Sequence, residues 1–207
     1  MQAEFQAAGL LLRSSYRGGN GPSAGDVLSG QEVEVKIAVG ADELEDIRRT
    51  AVTLGFQLSE PRRREENFLF DFPDGRLRTG DAALRLRSYG PRSVLTFKGP
   101  QVDDPELKIR EEIETQVESF EAVRRILRKI GLEPSFHYAK EREMFVLERP
   151  GRFPVSLCID ETPFGCFVEI EGSGHDIRET AARLGWSSDR FITRSYVDLY
   201  AEHGLGT

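Results

Sequence analysis

The sequence predicts an α+β fold in which about eight antiparallel strands close into a barrel with helices packed on its outside. Short strand patterns separated by turn signals far outnumber helical patterns. Several strands also alternate in an inverted sense, first in Glu32-Val33-Glu34-Val35-Lys36, where charged residues occupy every second position. Because residues two apart share one face of a strand, each such strand has a charged face and an apolar face. The recurrence of this pattern predicts a sheet closed around a charged interior.

The composition excludes several classes of protein. A net charge of −7 over 207 residues argues against a general nucleic-acid binder. No apolar run approaches the roughly 20 residues of a membrane helix, and the two cysteines lack the spacing of a disulfide framework or a zinc site. We therefore expect a cytoplasmic protein without nucleic-acid or membrane partners, and we leave open whether it forms a homodimer.

One folded domain is expected over residues 31–203, because the chain is long enough to bury a single substantial core. Residues 1–30 differ from the rest in their high content of glycine and serine. Such a composition is typical of flexible chain. We interpret this stretch as a flexible N-terminal extension without a function of its own.

The domain begins with a strand–helix unit that recurs along the chain. In each unit a strand precedes a helix whose apolar residues share one face, and a glycine ends the helix. The units are strand 31–39 with helix 42–54 before Gly55, strand 107–117 with helix 119–130 before Gly131, and strand 164–171 with a short helix before Gly185. We expect the helices to cover the outward apolar residues Val33, Val35, Ile37, Ile109 and Ile113.

Five further strands complete the predicted barrel. They span 68–72, 83–89, 94–98, 136–147 and 155–160, and turn signals such as Pro73-Asp74-Gly75 separate them. The charged run 62–66 is interpreted as the solvated beginning of a strand. Trp186, Phe191 and Tyr196 are expected to pack the last helix and strand.

Carboxylates share a face in two of the predicted strands. Glu32 and Glu34 do so near the start, Glu169 and Glu171 near the end, and Asp160 closes the preceding strand. Facing carboxylates would repel one another and raise each other's pKa unless a cation neutralised them. Oxygen ligands without histidine or cysteine suit Mg²⁺ or Mn²⁺. The acidic faces therefore predict a divalent-metal site inside the barrel.

Basic side chains occupy the same alternate faces. The candidates are Lys36, Arg85, Arg87, Lys98, Arg110, Lys140 and Arg142. Guanidinium groups two residues apart match phosphate oxygens, and a triphosphate carries about the charge that so many converging cations need. Any single pair is more typical of a solvated strand face, but the ordered recurrence of acids and bases favours the interior. Glu112 or Glu114, beside Arg110, is a candidate general base.

In this order the motifs resemble the CYTH superfamily, the triphosphate tunnel metalloenzymes, over about residues 31–200. The matching motifs are Glu32-x-Glu34-x-Lys36, Leu84-Arg85-Leu86-Arg87, Leu95-Thr96-Phe97-Lys98-Gly99-Pro100, Arg110 with Glu112 and Glu114, Lys140-x-Arg142, Asp160, and Phe167-Val168-Glu169-Ile170-Glu171. The stretch 192–200 resembles the class IV adenylyl cyclase-like branch. One departure is that Leu28-Ser29-Gly30-Gln31 stands where well-studied cyclases of that branch have a His-Phe pair.

The resemblance implies an eight-stranded tunnel that holds a triphosphate and one or two divalent metals, Mg²⁺ or Mn²⁺. It implies metal ligation by Glu32, Glu34, Glu169 and Glu171 with support from Asp160, phosphate binding by the basic residues named above, and catalytic roles for Glu32, Glu34, Lys36, Glu112 and Glu114. The expected activity is conversion of ATP to cyclic AMP and pyrophosphate. The alternatives are hydrolysis of tripolyphosphate or thiamine triphosphate, and non-catalytic sensing of a polyphosphate or nucleotide.

Overall fold

Eight strands and five helices follow one another within residues 30–206, the part of the chain that the computed structural model describes. The strands are β1 (Gln31–Val39), β2 (Gln57–Asp71), β3 (Ala83–Tyr89), β4 (Arg92–Val102), β5 (Lys108–Val117), β6 (Glu133–Leu147), β7 (Val155–Thr162) and β8 (Gly165–Glu171). The helices are α1 (Leu44–Thr53), α2 (Arg76–Thr79), α3 (Phe120–Lys129), α4 (Gly174–Arg183) and α5 (Tyr196–Glu202). No helix in this range is long and apolar enough to cross a membrane. The expected flexible extension lies outside the described residues, apart from Gly30.

The strands close into one antiparallel barrel in the order β1-β5-β4-β3-β2-β6-β7-β8. The closure occurs at β1, where Glu34 lies beside Lys108 of β5 on one side and beside Glu171 of β8 on the other. Residues paired across an antiparallel ladder share a face, so the register collects the charged faces of neighbouring strands on the inside. The predicted eight-stranded antiparallel barrel with outer helices is confirmed.

The outer apolar face of the barrel is covered on one side by α1 and α4. Val35 and Ile37 of β1 are fully buried there, in one apolar cluster with Ile47 of α1 and Ile177 of α4. Burial of aliphatic side chains of this size stabilises the fold by about 1.5–3 kcal/mol each. The packing accounts for the inverted alternation of β1, because its apolar residues face the helices and its charged residues face the interior.

On the other side α3 covers β2 and β3. Its Leu127 forms a second apolar cluster with Phe70 of β2 and Leu86 of β3. Ile113, near the end of β5, belongs to none of the apolar clusters among residues 30–206 and is 59% exposed. The prediction that Ile113 packs beneath a helix was therefore wrong. The other four outward positions pack against the cluster beneath α1 and α4, as expected.

Three helices end at the predicted glycines. Gly55, Gly131 and Gly185 have φ values of +95°, +95° and +85°. A residue with a Cβ atom is strained in this region of backbone conformation, whereas glycine is not. These positions end α1, α3 and α4 and turn the chain back into the barrel or, after α4, toward the C-terminal segment.

The structure adds the short helix α2 and a longer β4 to the predicted elements, and it differs from the prediction at the beginning of β2 and at the C-terminal end. β2 begins at Gln57 and includes the charged run 62–66. The alternation of residues did not reveal this part of the strand, because register shifts against β6 before Arg63 interrupt it. At the C-terminal end, Tyr196 begins α5 instead of packing a last strand. Trp186 and Phe191 do pack against the cluster beneath α1 and α4.

A charged tunnel as the candidate active site

The barrel interior is a tunnel with a cavity volume of about 410 Å³. Of the site residues that the sequence predicts, all except Asp160 line it: Glu32, Glu34, Lys36, Arg85, Arg87, Lys98, Arg110, Glu112, Glu114, Lys140, Arg142, Glu169 and Glu171. The strand register brings them together, because it pairs Lys36 with Glu169, Lys98 with Glu112, and Arg142 with Asp160. The tunnel divides into an acidic wall, mainly on β1 and β8, and a basic wall, mainly on β3 and β6.

The acidic wall is partly neutralised by lysines. Lys98 Nζ lies 2.5 Å from Glu32 Oε2 and 2.8 Å from Glu112 Oε2. Glu34 Oε1 accepts hydrogen bonds from Lys108 Nζ at 2.5 Å and Lys36 Nζ at 3.1 Å. These contacts hold ammonium groups among the carboxylates that are candidate metal ligands.

Glu171 has no such partner. Within residues 30–206 no hydrogen bond or ion pair joins its carboxyl group to a cation. Its electrostatic neighbours are the carboxylates of Glu32, Glu112 and Glu34 and, with a smaller effect, the ammonium group of Lys98. Burial, followed by the repulsion of these carboxylates, raises the pKa of Glu171 well above its ordinary value. Burial likewise raises the pKa of Glu32 to about 7. An orphaned carboxyl among other carboxylates fits a hard divalent cation such as Mg²⁺ or Mn²⁺.

The basic wall is organised around Glu65 of β2, which is 1% exposed. Its carboxylate lies 3.6 Å from Lys140 Nζ, 3.6 Å from Arg87 Nη1 and 3.9 Å from Arg142 Nε. Burial alone would raise the pKa of Glu65, but these cations lower it more, so the pKa lies well below its ordinary value. Glu65 therefore stays ionised and holds three cations at the tunnel surface.

Two arginines of the basic wall have N–H groups for which the described structure offers no hydrogen-bond acceptor. The Nε atoms of Arg85 and Arg87 are buried without a hydrogen-bond partner. Leaving a buried charged donor unsatisfied is costly, so such groups indicate a site for an anion. Both side chains line the tunnel, and that anion would therefore lie inside it.

Asp160 has a different position from the other acids. It is fully buried behind the tunnel surface and accepts hydrogen bonds from Arg142 Nε at 2.7 Å, Lys140 Nζ at 2.9 Å and Tyr196 Oη at 2.6 Å. Burial would raise the pKa of Asp160, but Arg142 and Lys140 hold it well below its ordinary value. Both oxygens are occupied by these donors. In this arrangement Asp160 holds Lys140 and Arg142 in place, and neither of its oxygens is free of a hydrogen bond.

Two predicted residues already have hydrogen-bond partners. Arg110 donates to Gly99 O at 2.7 Å and to Asp81 Oδ1 at 2.6 Å, so much of its guanidinium group is already engaged. Glu114 is exposed, and its Oε2 accepts from Thr96 Oγ1 at 3.0 Å and Arg87 Nη2 at 3.1 Å.

Among the residues that the predicted site left out are Lys108 and Tyr196, which line the tunnel, and Glu65, which is buried behind its surface. Lys108 shares the parity of Arg110 and Glu112, so the alternation rule could have included it. Glu65 lies in the charged run that was interpreted as solvated, and only the true extent of β2 shows that it points inward. Tyr196 lies on a helix that follows the last strand, where strand parity carries no information.

Comparison with known proteins identifies a family for most of the chain. The family model described as CYTH domain matches residues 30–196. A protein of Methanocaldococcus jannaschii named "Putative adenylate cyclase MJ0240" is 31% identical over 178 residues, which cover 81% of this chain and 98% of the relative.

Solved structures share the fold at lower sequence identity. The crystal structure described as "a putative adenylate cyclase" from Vibrio parahaemolyticus is 20% identical, with a TM-score of 0.68, and covers 82% of this chain and 97% of that one. The adenylyl cyclase candidate HpAC1 from Hippeastrum, described as revealing a dominant triphosphatase activity, is 18% identical with a TM-score of 0.59. That match covers 83% of this chain and 96% of the other.

Proposed function

The chain belongs to the CYTH domain family, and from this premise we propose that it is a divalent-metal-dependent enzyme whose substrate is a triphosphate bound inside the tunnel. One observation carries the proposal: a single cavity contains buried Arg85 and Arg87 donors without acceptors and a Glu171 carboxyl group to which no cation of the described residues is hydrogen-bonded or ion-paired. A polyanion and a divalent cation together would satisfy both, because each complements one wall.

The two walls receive separate roles in this proposal. Phosphate groups are assigned to Lys36, Arg85, Arg87, Lys98, Lys140 and Arg142, and to the donors of Arg110 that Gly99 and Asp81 leave free. The metal is assigned to Glu32, Glu34, Glu169 and Glu171, and Asp160 acts indirectly by holding Lys140 and Arg142. When bound, the metal would supply positive charge at the phosphate oxygens and lower the pKa of a coordinated hydroxyl group.

The finer proposal is cyclisation of ATP to cyclic AMP and pyrophosphate. The ribose 3′-oxygen forms a bond to the α-phosphorus, the bond from that phosphorus to the bridging oxygen breaks, and pyrophosphate leaves. Arg85, Arg87 and Lys98 stabilise the charge that develops on the leaving group. Glu112 or Glu114, which both line the tunnel, accepts the 3′-hydroxyl proton. The archaeal relative, similar over nearly its whole length, supports this reaction.

Hydrolysis of a triphosphate is the second candidate. Water attacks a terminal phosphorus in that reaction, and the same clamp stabilises the leaving phosphates. The dominant triphosphatase activity described for the Hippeastrum protein supports this alternative. The two reactions need the same charges along the tunnel and differ in the direction in which the triphosphate lies.

A panel of substrates distinguishes the candidates. The full chain is incubated with ATP, tripolyphosphate and thiamine triphosphate, each with Mg²⁺ or Mn²⁺, and cyclic AMP, pyrophosphate and phosphate are measured. Cyclic AMP with equimolar pyrophosphate supports cyclisation, and phosphate release supports hydrolysis. If no substrate is turned over with either metal, the enzymatic proposal is wrong, and tight binding alone would indicate a sensor.

The assignment of Glu34 as a metal ligand is tested by a substitution at that residue. Glu34→Gln is expected to lower turnover by more than about 100-fold, since mutation of even a hydrogen-bonding partner of a metal ligand typically lowers metal affinity or activity by about 10–100-fold. Glu111→Gln is the control, because Glu111 lies on the same sheet but is exposed. Equal activity of the two variants would show that Glu34 does not hold the metal.

A further inference from the structure

The segment that leads into α5 pairs with β1 where β5 no longer flanks it. Pairing of β1 with β5 ends at Glu34 and Lys108. Two residues further, Lys36 N donates to Ile192 O at 3.1 Å and Ile192 N donates to Lys36 O at 2.8 Å. Ser195 and Asp198 then form a reciprocal cap on the first turn of α5. This segment is therefore fastened to the strand that carries Lys36, and it delivers Tyr196 into the tunnel.

Tyr196 contacts both kinds of tunnel charge. The side chain is buried and lines the tunnel, and its Oη donates to Asp160 Oδ2 at 2.6 Å. The Nζ atoms of Lys140 and Lys36 lie 3.9 Å and 5.0 Å from the centroid of its ring. Burial and the neighbouring carboxylates raise the pKa of the phenol well above its ordinary value, so it stays protonated.

These contacts have a consequence for the two lysines. The face of an aromatic ring attracts an ammonium group within about 6 Å but leaves its charge in place. The hydroxyl group also takes up part of the negative charge of Asp160, which otherwise acts on Lys140 and Arg142 alone. A side chain that orients cations without neutralising them leaves their charge available to an anion.

We propose that Tyr196 is a positioning residue of the phosphate site, which directs Lys36 and Lys140 toward the bound triphosphate through its ring and holds Asp160 through its hydroxyl group. This role rests on the proposed function, because it requires that the tunnel bind a triphosphate. It makes the C-terminal helix, and not only the barrel, part of the site.

The experiment measures affinity apart from turnover. Tripolyphosphate binding is followed by titration calorimetry at several salt concentrations for the wild type, Tyr196→Phe, Tyr196→Leu and Tyr200→Phe. Tyr200 is the matched control, because it lies on the same helix, its hydroxyl group donates to Ala139 O, and it does not line the tunnel. Thermal unfolding of each variant is recorded alongside.

The expected effects follow from the contacts. Loss of the hydrogen bond to Asp160 in Tyr196→Phe should weaken tripolyphosphate binding by about tenfold, and loss of the ring in Tyr196→Leu should weaken it several-fold more. Tyr200→Phe should bind like the wild type. In the turnover assay the Phe variant should show a raised KM with a smaller change in kcat.

The outcomes separate the two proposals. If the wild type does not bind tripolyphosphate, the proposed function is wrong. If the wild type binds it and Tyr196→Phe matches Tyr200→Phe in affinity and KM, the role of Tyr196 alone is refuted. Should Tyr196→Leu fail to fold, the conservative Phe variant still decides the question.

Discussion

Glu65 is the buried counter-ion of the basic wall, and replacing it with glutamine should destabilise the protein. Its carboxylate is within 4 Å of Lys140, Arg87 and Arg142. At 3.6 Å and an effective dielectric constant of about 20, each pair attracts by roughly 4–5 kcal/mol before desolvation is counted. Breaking a buried pair by removing one partner typically costs about 3–5 kcal/mol, because the remaining charges stay buried. We expect Glu65→Gln to fall within that range.

The assay is thermal and urea unfolding of Glu65→Gln beside Glu66→Gln. Glu66 is the next residue along β2 but faces outward, where it accepts from Arg64 and contacts His137. Since it is part-exposed, its loss should cost no more than about 1 kcal/mol. For a domain of this size a loss of 3 kcal/mol lowers Tm by about 6–12 °C.

The same variant has a second expected property, which a purely structural role would not produce. Without Glu65 the three cations are balanced by fewer carboxylates, Asp160, Glu169 and Glu114, so tripolyphosphate should raise the Tm of Glu65→Gln by more than it raises that of the wild type. If Glu65→Gln is as stable as Glu66→Gln and tripolyphosphate stabilises both equally, Glu65 does not balance the basic wall and the reasoning fails.

Two other predictions concern stability. The pKa of Glu65 is lowered from 4.5 in the folded protein, so the stability that its carboxylate contributes is fully present above pH 4.5 and is lost as the pH falls below 4.5. Acid should therefore lower the Tm of the wild type more steeply than that of Glu65→Gln. Parallel curves of Tm against pH between pH 7 and pH 3 would contradict this. Asp71 accepts hydrogen bonds from the backbone N–H groups of Phe72, Leu77 and Arg78, so Asp71→Ala should lower the free energy of unfolding by about 1–2 kcal/mol. The control Asp74→Ala loses a single hydrogen bond from Arg76 N at an exposed site and should lower it less. Equal losses in urea unfolding would count against the role of Asp71.

The sequence was most informative in the strands, where alternate residues lie on opposite faces. In a strand the parity of a residue decides its face, so the alternation around Glu32 and Lys36, together with its recurrence in later strands, placed both residues inside a barrel. The same rule failed for Glu65, because register shifts in β2 break the alternation just before it. It also could not predict the exposure of Ile113, since which strand a helix covers depends on packing between distant segments.

The parity of a residue in its strand also cannot show which carboxylates of the interior will be paired with cations and which will not. The sequence pattern places both Asp160 and Glu171 among the acids of the predicted interior, but the structure surrounds Asp160 with Arg142, Lys140 and Tyr196 and leaves Glu171 mainly among other carboxylates. The difference arises from partners on other elements, one of them on α5. A candidate metal ligand is therefore better identified by the cations it lacks than by the carboxylates beside it, and by that criterion Glu171, not Asp160, is the acid most suited to hold the metal.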